Sequence, residues 1–309
     1  MLHWLVIGVG DITRKRVLPA ILSEPRSRLS GIVTREPVKA EPYGVPGWTD
    51  LTTALRKSGA EAVYVASPVF LHAPQTIEAL RAGRHVLCEK PMALGYAEAK
   101  TMQEAAEESG RMLGVAYYRR RYAKVERARQ LLASGAIGRP VLAEATSHDW
   151  FNPVGSTREW VGDVKRSGGG PLRDIASHRI DLMNYLFGSP VRASGHLSTL
   201  VQPVDVEDNA TVLIEYATGA RGVVDVRWHS RVARDEFRIR GTEGEIDLSP
   251  LNGAKLVHPG GEESVPAPEN LHFPCIADFV DAAADGRAPV CPATAALKTE
   301  WVMSTVAAP

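Results

Sequence analysis

The chain has 309 residues, 44% of them apolar and 23% charged, so it can fill about two packed domains and is neither a fibre nor a largely disordered segment. Its 36 basic side chains balance 36 acidic ones, and a net charge of +0 gives no support to binding nucleic acid or an acidic membrane through a broad electrostatic field. The three cysteines, Cys88, Cys275 and Cys291, are scattered without a CxxC pair or zinc spacing, which fits a reducing compartment. The first residues, MLHWLVIGVGD, lack the basic start of a signal peptide, and no run of about 18 apolar residues occurs. The expected location is the cytoplasm.

In chain order, Leu2 to Ile7 is an apolar strand that stops at a glycine turn, and helical sequence follows to about Leu22. Further strands are expected at Leu29 to Thr34, Ala60 to Ala66, Arg84 to Cys88 and Met112 to Ala116, with helices at 71–82 and Tyr96 to Ser109. Strands alternating with helices imply a parallel sheet covered on both faces. After residue 120 the pattern changes. A helix at Tyr122 to Leu132 is followed by a strand at Pro140 to Asp149, then by a loop over 150–172 rich in Gly, Pro and Trp. A helix is expected from about Arg173 to Leu186. From 190 to 257 strand-like segments succeed one another across glycine turns, which implies antiparallel pairing. Two amphipathic helices, Pro274 to Asp285 and Thr294 to Thr305, close the chain. The expected fold is an α/β Rossmann dinucleotide-binding domain over 1–120. An α+β domain with a large, mostly antiparallel open sheet follows over 121–309, its last helices able to pack back toward the first.

The turn after the first strand, Gly8-Val9-Gly10-Asp11-Ile12-Thr13, is most of a G-x-G-x-x-G fingerprint. Gly8 would make the tight turn, and Gly10 would let a pyrophosphate approach the backbone at the helix N-terminus. Thr13 stands where a third glycine or an alanine is usual, and the alternative is a purely structural turn. The second strand ends in Thr34-Arg35, where an NAD site usually has an acidic residue for the ribose 2′-hydroxyl. A guanidinium suits a 2′-phosphate, so NADP is the expected cofactor ahead of NAD. Glu36 next door would reverse this if the chain were offset, and a solvated surface arginine is the alternative.

At Glu89-Lys90-Pro91 the chain resembles the Gfo/Idh/MocA family of nicotinamide-dependent oxidoreductases. The resemblance rests on AVYVASPVFLH at 62–72, AGRHVLCEKPMAL at 82–94, YYRRRY at 117–122 and GGGPLRDIASHRID at 168–181, where Ala176 replaces a glycine. It implies that Lys90, Asp174 and His178 line the catalytic site, with Gly8, Gly10, Asp11, Ile12, Thr34, Arg35, Ser67, Pro68, His72, Glu89 and Lys90 around the cofactor. The residues agree chemically. Lys90 ends a parallel strand, where open α/β sheets place their ligand crevice, and Pro91 restricts its backbone to an extended form. Its ammonium would stabilise a developing alkoxide, and a surface lysine is the alternative. Asp174 and His178, four residues apart, share one helix face; His178 suits proton transfer, and Asp174 would orient substrate or act on Lys90 by its charge. A purely structural pair is the alternative there, and Asp181 one turn on reads as structural. The three glycines at 168–170 would let the chain pass close to the nicotinamide.

The resemblance further implies that 148–160, HDWFNPVGSTREW, shapes a substrate pocket. Trp150, Phe151 and Trp160 would stack on a sugar ring, Arg158 would meet a carboxylate or phosphate, and Tyr118 and Arg121 would reach the crevice; packing is the alternative for the aromatics. The implied reaction transfers a hydride between NAD(P) and a secondary hydroxyl or ketone of a sugar, cyclitol or related polyol, with His178 or Lys90 taking the hydroxyl proton. No metal site is expected, since His148, His178, His196 and His229 lie far apart and no HExxH occurs. Two other readings remain open: a redox glycosidase with tightly held NAD, and a non-catalytic nucleotide-binding regulator. The second-domain sheet alternates apolar residues such as Val212, Ile214 and Tyr216, and a bare apolar second face would need a cover. Related enzymes commonly pair such sheets, so a homodimer or homotetramer is expected.

Overall fold

A computed structural model describes residues 1–308. The chain divides into two compact units: Met1–Tyr118 with Pro268–Leu297, and Arg119–Ala267 with the residues from Lys298 on.

The first unit holds six parallel strands, β1 (Leu2–Ile7), β2 (Ser27–Val33), β3 (Gly47–Trp48), β4 (Ala62–Val65), β5 (His85–Cys88) and β6 (Leu113–Val115), in the order β3-β2-β1-β4-β5-β6. Its helices include α1 (Leu18–Ser23), α2 (Leu51–Lys57), α3 (His72–Arg81) and α4 (Tyr96–Ser109). Because strand side chains alternate between faces, β1 feeds two cores. Leu5 and Ile7 join Val63, Val65, Val86 and the residues of α2, α3 and α4, whereas Trp4 and Val6 join Ile32, Tyr64, Leu87, Leu18 and Ile21. Phe279 also packs in that second core, with its ring centroid 5.3 Å from that of Trp4. The order reverses beside β1, which opens a crevice at the carboxyl ends of β1 and β4. Residues 35–59, outside the elements expected from the sequence, carry β3 and α2. There, Asp50 caps α2 by accepting from Thr53 N at 2.7 Å.

The second unit begins with α5 (Ala123–Ala133). Its sheet has eight strands: β7 (Pro140–Trp150), β8 (Pro190–Ser198), β9 (Asn209–Tyr216), β10 (Arg221–Arg227), β11 (His229–Gly241), β12 (Glu245–Asp247), β13 (Lys255–His258) and β14 (Gly261–Ser264). Their order is β14-β13-β12-β11-β7-β10-β9-β8. Six of the seven pairings are antiparallel; β7 and β10 are parallel, so the sheet is mixed. The exception arises because β7 precedes the run of short connections from which antiparallel pairing was expected. The expected loop over 150–172 contains a 3₁₀ turn at Glu159–Gly162 and the short helix α6 (Val164–Ser167). The helix expected from Arg173 opens as a π-helical turn, Leu172–Ala176, and continues as α7 (Ser177–Phe187).

Val212, Ile214, Tyr216, Val224, Val226, Phe237 and Ile239 are buried on the inward face of this sheet. The outward face differs from expectation. Arg240 pairs with Glu144 and Glu245, Arg238 with Asp247 at 3.1 Å, and His148 with Asp225 at 2.7 Å. Leu213, 52% exposed, is an apolar exception. Cross-strand charges, not a bare apolar patch, cover this face, so the physical reason for expecting a homodimer or homotetramer is not met. The chain ends in α8 (Phe273–Asp285) and α9 (Ala293–Ala307). No helix among the described residues is long and apolar enough to cross a membrane.

Candidate active site

Gly8, Gly10, Asp11, Ile12, Thr34, Arg35, Ser67, Pro68, Glu89 and Lys90 all follow the carboxyl ends of parallel strands, so the first unit brings them to one edge of its sheet. Gly8 knots three strand ends. Its N–H donates to Val33 O at 2.8 Å, its φ is +90°, and a Cβ there would stand 2.6 Å from Ala66 O. Gly10 is the opposite case: a Cβ would meet no protein atom within 4 Å, and its φ lies outside the left-handed range. The protein itself therefore makes no demand for glycine at 10, whereas a phosphate drawn against the backbone would. This fits a dinucleotide.

Asp11 is an unpromising neighbour for a pyrophosphate, but Lys15 at 2.7 Å and Arg14 at 3.0 Å neutralise it, and the Lys15 bond holds its carboxyl below the usual range. Ile12, 42% exposed, offers an apolar surface beside the turn. Thr13 is wholly buried and opens a π-helical turn, Thr13–Val17, before α1. Both π-helical turns of the described chain thus lie at expected site segments, a common placement for this rare geometry.

Thr34 N donates to Trp48 O at 2.8 Å, and Arg35 is exposed just beyond. Glu36 is bound by Lys39 at 2.6 Å, which holds its carboxyl low. The exposed cation at this strand end is Arg35, and the adjacent carboxylate is already committed.

Two expected cofactor contacts turn inward instead. His72 is buried, with Nδ1 2.9 Å from Pro91 O and Nε2 2.9 Å from Ser67 O, so its ring ties the 67–68 turn to the segment after Lys90. Burial pushes its pKa down. Glu89 is buried as well. Tyr64 Oη donates to Oε1 at 2.7 Å, His272 Nε2 lies 3.3 Å from the same oxygen, and Lys90 N donates to Oε2 at 3.2 Å. Burial alone would raise the Glu89 carboxyl, but His272 and Tyr64 outweigh it and leave it low. Burial and the Glu89 charge push the Tyr64 hydroxyl well up. Both side chains are enclosed by protein partners and hold the turn that carries Lys90. Ser67 Oγ donates to Gln75 at 2.6 Å, and Lys90 is half-buried before a cis peptide to Pro91. Tyr118 stacks on His272, with ring centroids 4.3 Å apart.

In the second unit, Asp174 lies in the π-helical turn and His178 in the first turn of α7, where it is buried. Arg158, expected to meet an anionic substrate group, donates to Asp174 Oδ2 at 2.7 Å and lies over the Phe151 ring at 5.1 Å. Trp150 is partly exposed beneath Arg231, 3.9 Å away. Trp160 packs on a small core of Val161, Val206 and Trp228, and Arg121 is exposed in a 3₁₀ turn. Asp181 forms a buried bidentate pair with Arg120 at 2.8 and 2.6 Å, which makes it structural.

The glycine run needs correction. A Cβ at Gly170 would stand 2.0 Å from Glu207 O, so the close approach that demands glycine there is to the chain's own backbone. Glu207, which sequence reasoning missed, accepts from Gly170 N and Leu172 N, both at 2.9 Å, and so caps the start of the helix that bears Asp174 and His178. A buried Arg173–Glu300 pair at 2.9 Å fixes that start further. No group of three or more His, Cys, Asp or Glu side chains suited to a metal occurs among the described residues.

Comparison with known proteins matches residues 2–117 to the oxidoreductase family with an NAD-binding Rossmann fold, and residues 125–247 to the C-terminal domain of the same Gfo/Idh/MocA proteins. The chain belongs to the Gfo/Idh/MocA family of oxidoreductases. It is 29% identical to a 1,5-anhydro-D-fructose reductase of Ensifer adhaerens, over 90% of this chain and 87% of that protein. It is 31% identical to a dTDP-3,4-didehydro-2,6-dideoxy-alpha-D-glucose 3-reductase of Streptomyces violaceoruber, over 79% of this chain and 71% of the other. A solved levoglucosan dehydrogenase, in complex with NADH and levoglucosan, has a TM-score of 0.86 at 25% identity, covering 99% of this chain and 96% of that one.

Besides Glu207, sequence reasoning missed Tyr64 and His272. Tyr64 lies in the middle of β4, where nothing in the sequence separates its hydroxyl from the apolar run around it. His272 precedes α8, more than 180 residues from Glu89, and no spacing rule links them.

Proposed function

We propose that this oxidoreductase transfers a hydride between NAD(P) and a secondary hydroxyl or ketone carbon of a sugar, cyclitol or related polyol, with NADP(H) preferred. The observation that carries the reading is the contrast at the first turn. Gly8 is demanded by the fold, whereas Gly10 is glycine with no protein atom near its missing Cβ, as a pyrophosphate seat requires. Relatives named for reduction or dehydrogenation of sugar derivatives support the substrate class.

The bound nicotinamide supplies the hydride chemistry. Gly8, Gly10 and Ile12 would hold the dinucleotide, and Arg35 the 2′-phosphate. Lys90 places a positive charge where alkoxide character develops, worth about 10²–10³-fold in rate. His178 moves the hydroxyl proton at a ring nitrogen. Asp174, paired with Arg158, orients the substrate hydroxyls and His178.

The test is a panel of neutral sugars, sugar acids, cyclitols and linear polyols with NAD and NADP, followed at the reduced-nicotinamide absorbance in both directions. Turnover of at least one ring polyol or its ketone, faster with NADP, is expected. No turnover of any cyclic polyol with either cofactor refutes the proposal.

A further inference from the structure

The Glu89 side chain is a buried clip with its two oxygens divided between tasks. Oε2 takes the N–H of Lys90, and Oε1 takes the Tyr64 hydroxyl with His272 beside it. A carboxylate this enclosed stays charged only while donors hold it in place. Tyr64 comes from β4, but His272 comes from the far end of the chain. His272 is itself set by three contacts: its N–H donates to Asn270 Oδ1 at 3.0 Å, its carbonyl accepts from Cys275 and Ile276 in the first turn of α8, and its ring lies on Tyr118. Although the side chain is 2% exposed, neither ring nitrogen of His272 meets hydrogen-bond geometry among the described residues, and the polar neighbour of Nε2 is Glu89 Oε1 at 3.3 Å. For purely structural filling, a phenyl ring would stack on Tyr118 equally well and leave no buried nitrogen. An imidazole here makes sense through what Nε2 does to Glu89.

We infer that His272 is a positioning residue for Lys90, acting through the Glu89 carboxylate. This role rests on the reading of Lys90 as the charge that faces the reacting oxygen. His272 and Tyr64 together orient Oε1, which leaves Oε2 to pin the Lys90 backbone at the end of β5. The titratable groups around the pair are Lys90 after β5, Tyr64 on β4, His72 at the start of α3, Tyr118 after β6, and the thiols of Cys88 and Cys275 near the Tyr64 hydroxyl.

The experiment compares His272→Phe, which keeps the stack on Tyr118 and loses the nitrogen, with His272→Gln, which returns a donor to Glu89. Trace acetylation of Lys90 with acetic anhydride, read by mass spectrometry on the folded full-length chain, needs no substrate. The Lys90 labelling rate in His272→Phe should differ from wild type by about threefold or more, the change that half a pKa unit at one neighbouring charge produces. His272→Gln should bring it back toward wild type. In a Glu89→Gln background the same His272→Phe change should have little effect, because the route through the carboxylate is gone. Turnover of any substrate found above should fall mainly in kcat, with nicotinamide affinity kept. Unchanged labelling in folded His272→Phe overturns the inference, as does an equal effect with and without the Glu89 carboxylate. If His272→Phe does not fold, the Gln variant decides: a labelling rate far from wild type overturns the role. Failure to find any substrate would touch only the functional reading, since the labelling stands apart from it.

Discussion

The two glycines of the first turn make a paired prediction, because the structure assigns them opposite reasons. Gly8→Ala puts a Cβ on a residue at φ +90°, and 2.6 and 2.9 Å from the carbonyl oxygen and carbon of Ala66, which are backbone atoms of a strand end and cannot rotate away. Left-handed backbone costs an L-residue about 1–2 kcal/mol, and the overlap adds at least as much, for a total of about 3 kcal/mol. In a unit of this size that lowers the melting temperature by about 6–12 °C. Gly10→Ala meets neither cost. It should leave the melting temperature unchanged or raise it slightly, since alanine narrows the unfolded ensemble by up to about 1 kcal/mol. Its penalty should fall on the dinucleotide instead, a loss of about 10–100-fold in affinity, or about 1.4–2.8 kcal/mol, for a methyl group in the seat of the pyrophosphate. Thermal melts without cofactor and NADPH fluorescence titrations of both variants measure the two effects separately. Gly10→Ala that melts as low as Gly8→Ala, or that binds cofactor as tightly as wild type, would refute the reasoning.

Arg35→Ala should weaken NADP(H) by about tenfold and NAD(H) by less than about twofold, the difference expected of one guanidinium on an exposed phosphate; equal losses in titration would remove Arg35 from the site. Lys90→Met should lower turnover by about 10²–10³-fold with cofactor affinity kept, and near-normal turnover would remove Lys90 from the chemistry. His178→Asn should lower turnover by about 10²–10⁴-fold and erase the acid-side titration from the pH–rate profile; a profile of unchanged shape with a lower melting temperature would make His178 structural. At low pH the Glu263 carboxyl, held down to about 2 chiefly by its bond to Arg127 at 2.6 Å with help from His258, contributes stability that is complete above about pH 4.5 and is lost as pH falls toward 2. Glu263→Gln should therefore melt below wild type at neutral pH and converge with it in acid, and a constant gap across that range would show that the ion pair is not responsible.

Local pattern and local chemistry carried a large share of this protein. The alternation of apolar runs with helical stretches determined a parallel sheet in the first unit, because a strand buried on both faces must be apolar almost throughout, as LHWLVI is apart from His3. Glycine after the first strand, the EKP segment and the Asp174–His178 spacing are short-range signals that a reader of sequence can see. Three things were decided only by tertiary structure. The glycines at 168–170 suggested a bound ring, yet Gly170 is small because Glu207, 37 residues on, passes against it. His72 and Glu89 looked like ligands, yet both face inward, because a side chain's direction depends on which neighbours offer it a carbonyl or a hydroxyl. The outer face of the second sheet looked as if it needed an apolar cover, yet its registers set arginines opposite carboxylates across strands, and register is a property of pairings between distant segments. Periodicity along the chain reports which residues share a face. It does not report what stands opposite: His272 lies beside Glu89 within the first unit and Arg158 pairs with Asp174 within the second, and neither partner is visible in the local sequence.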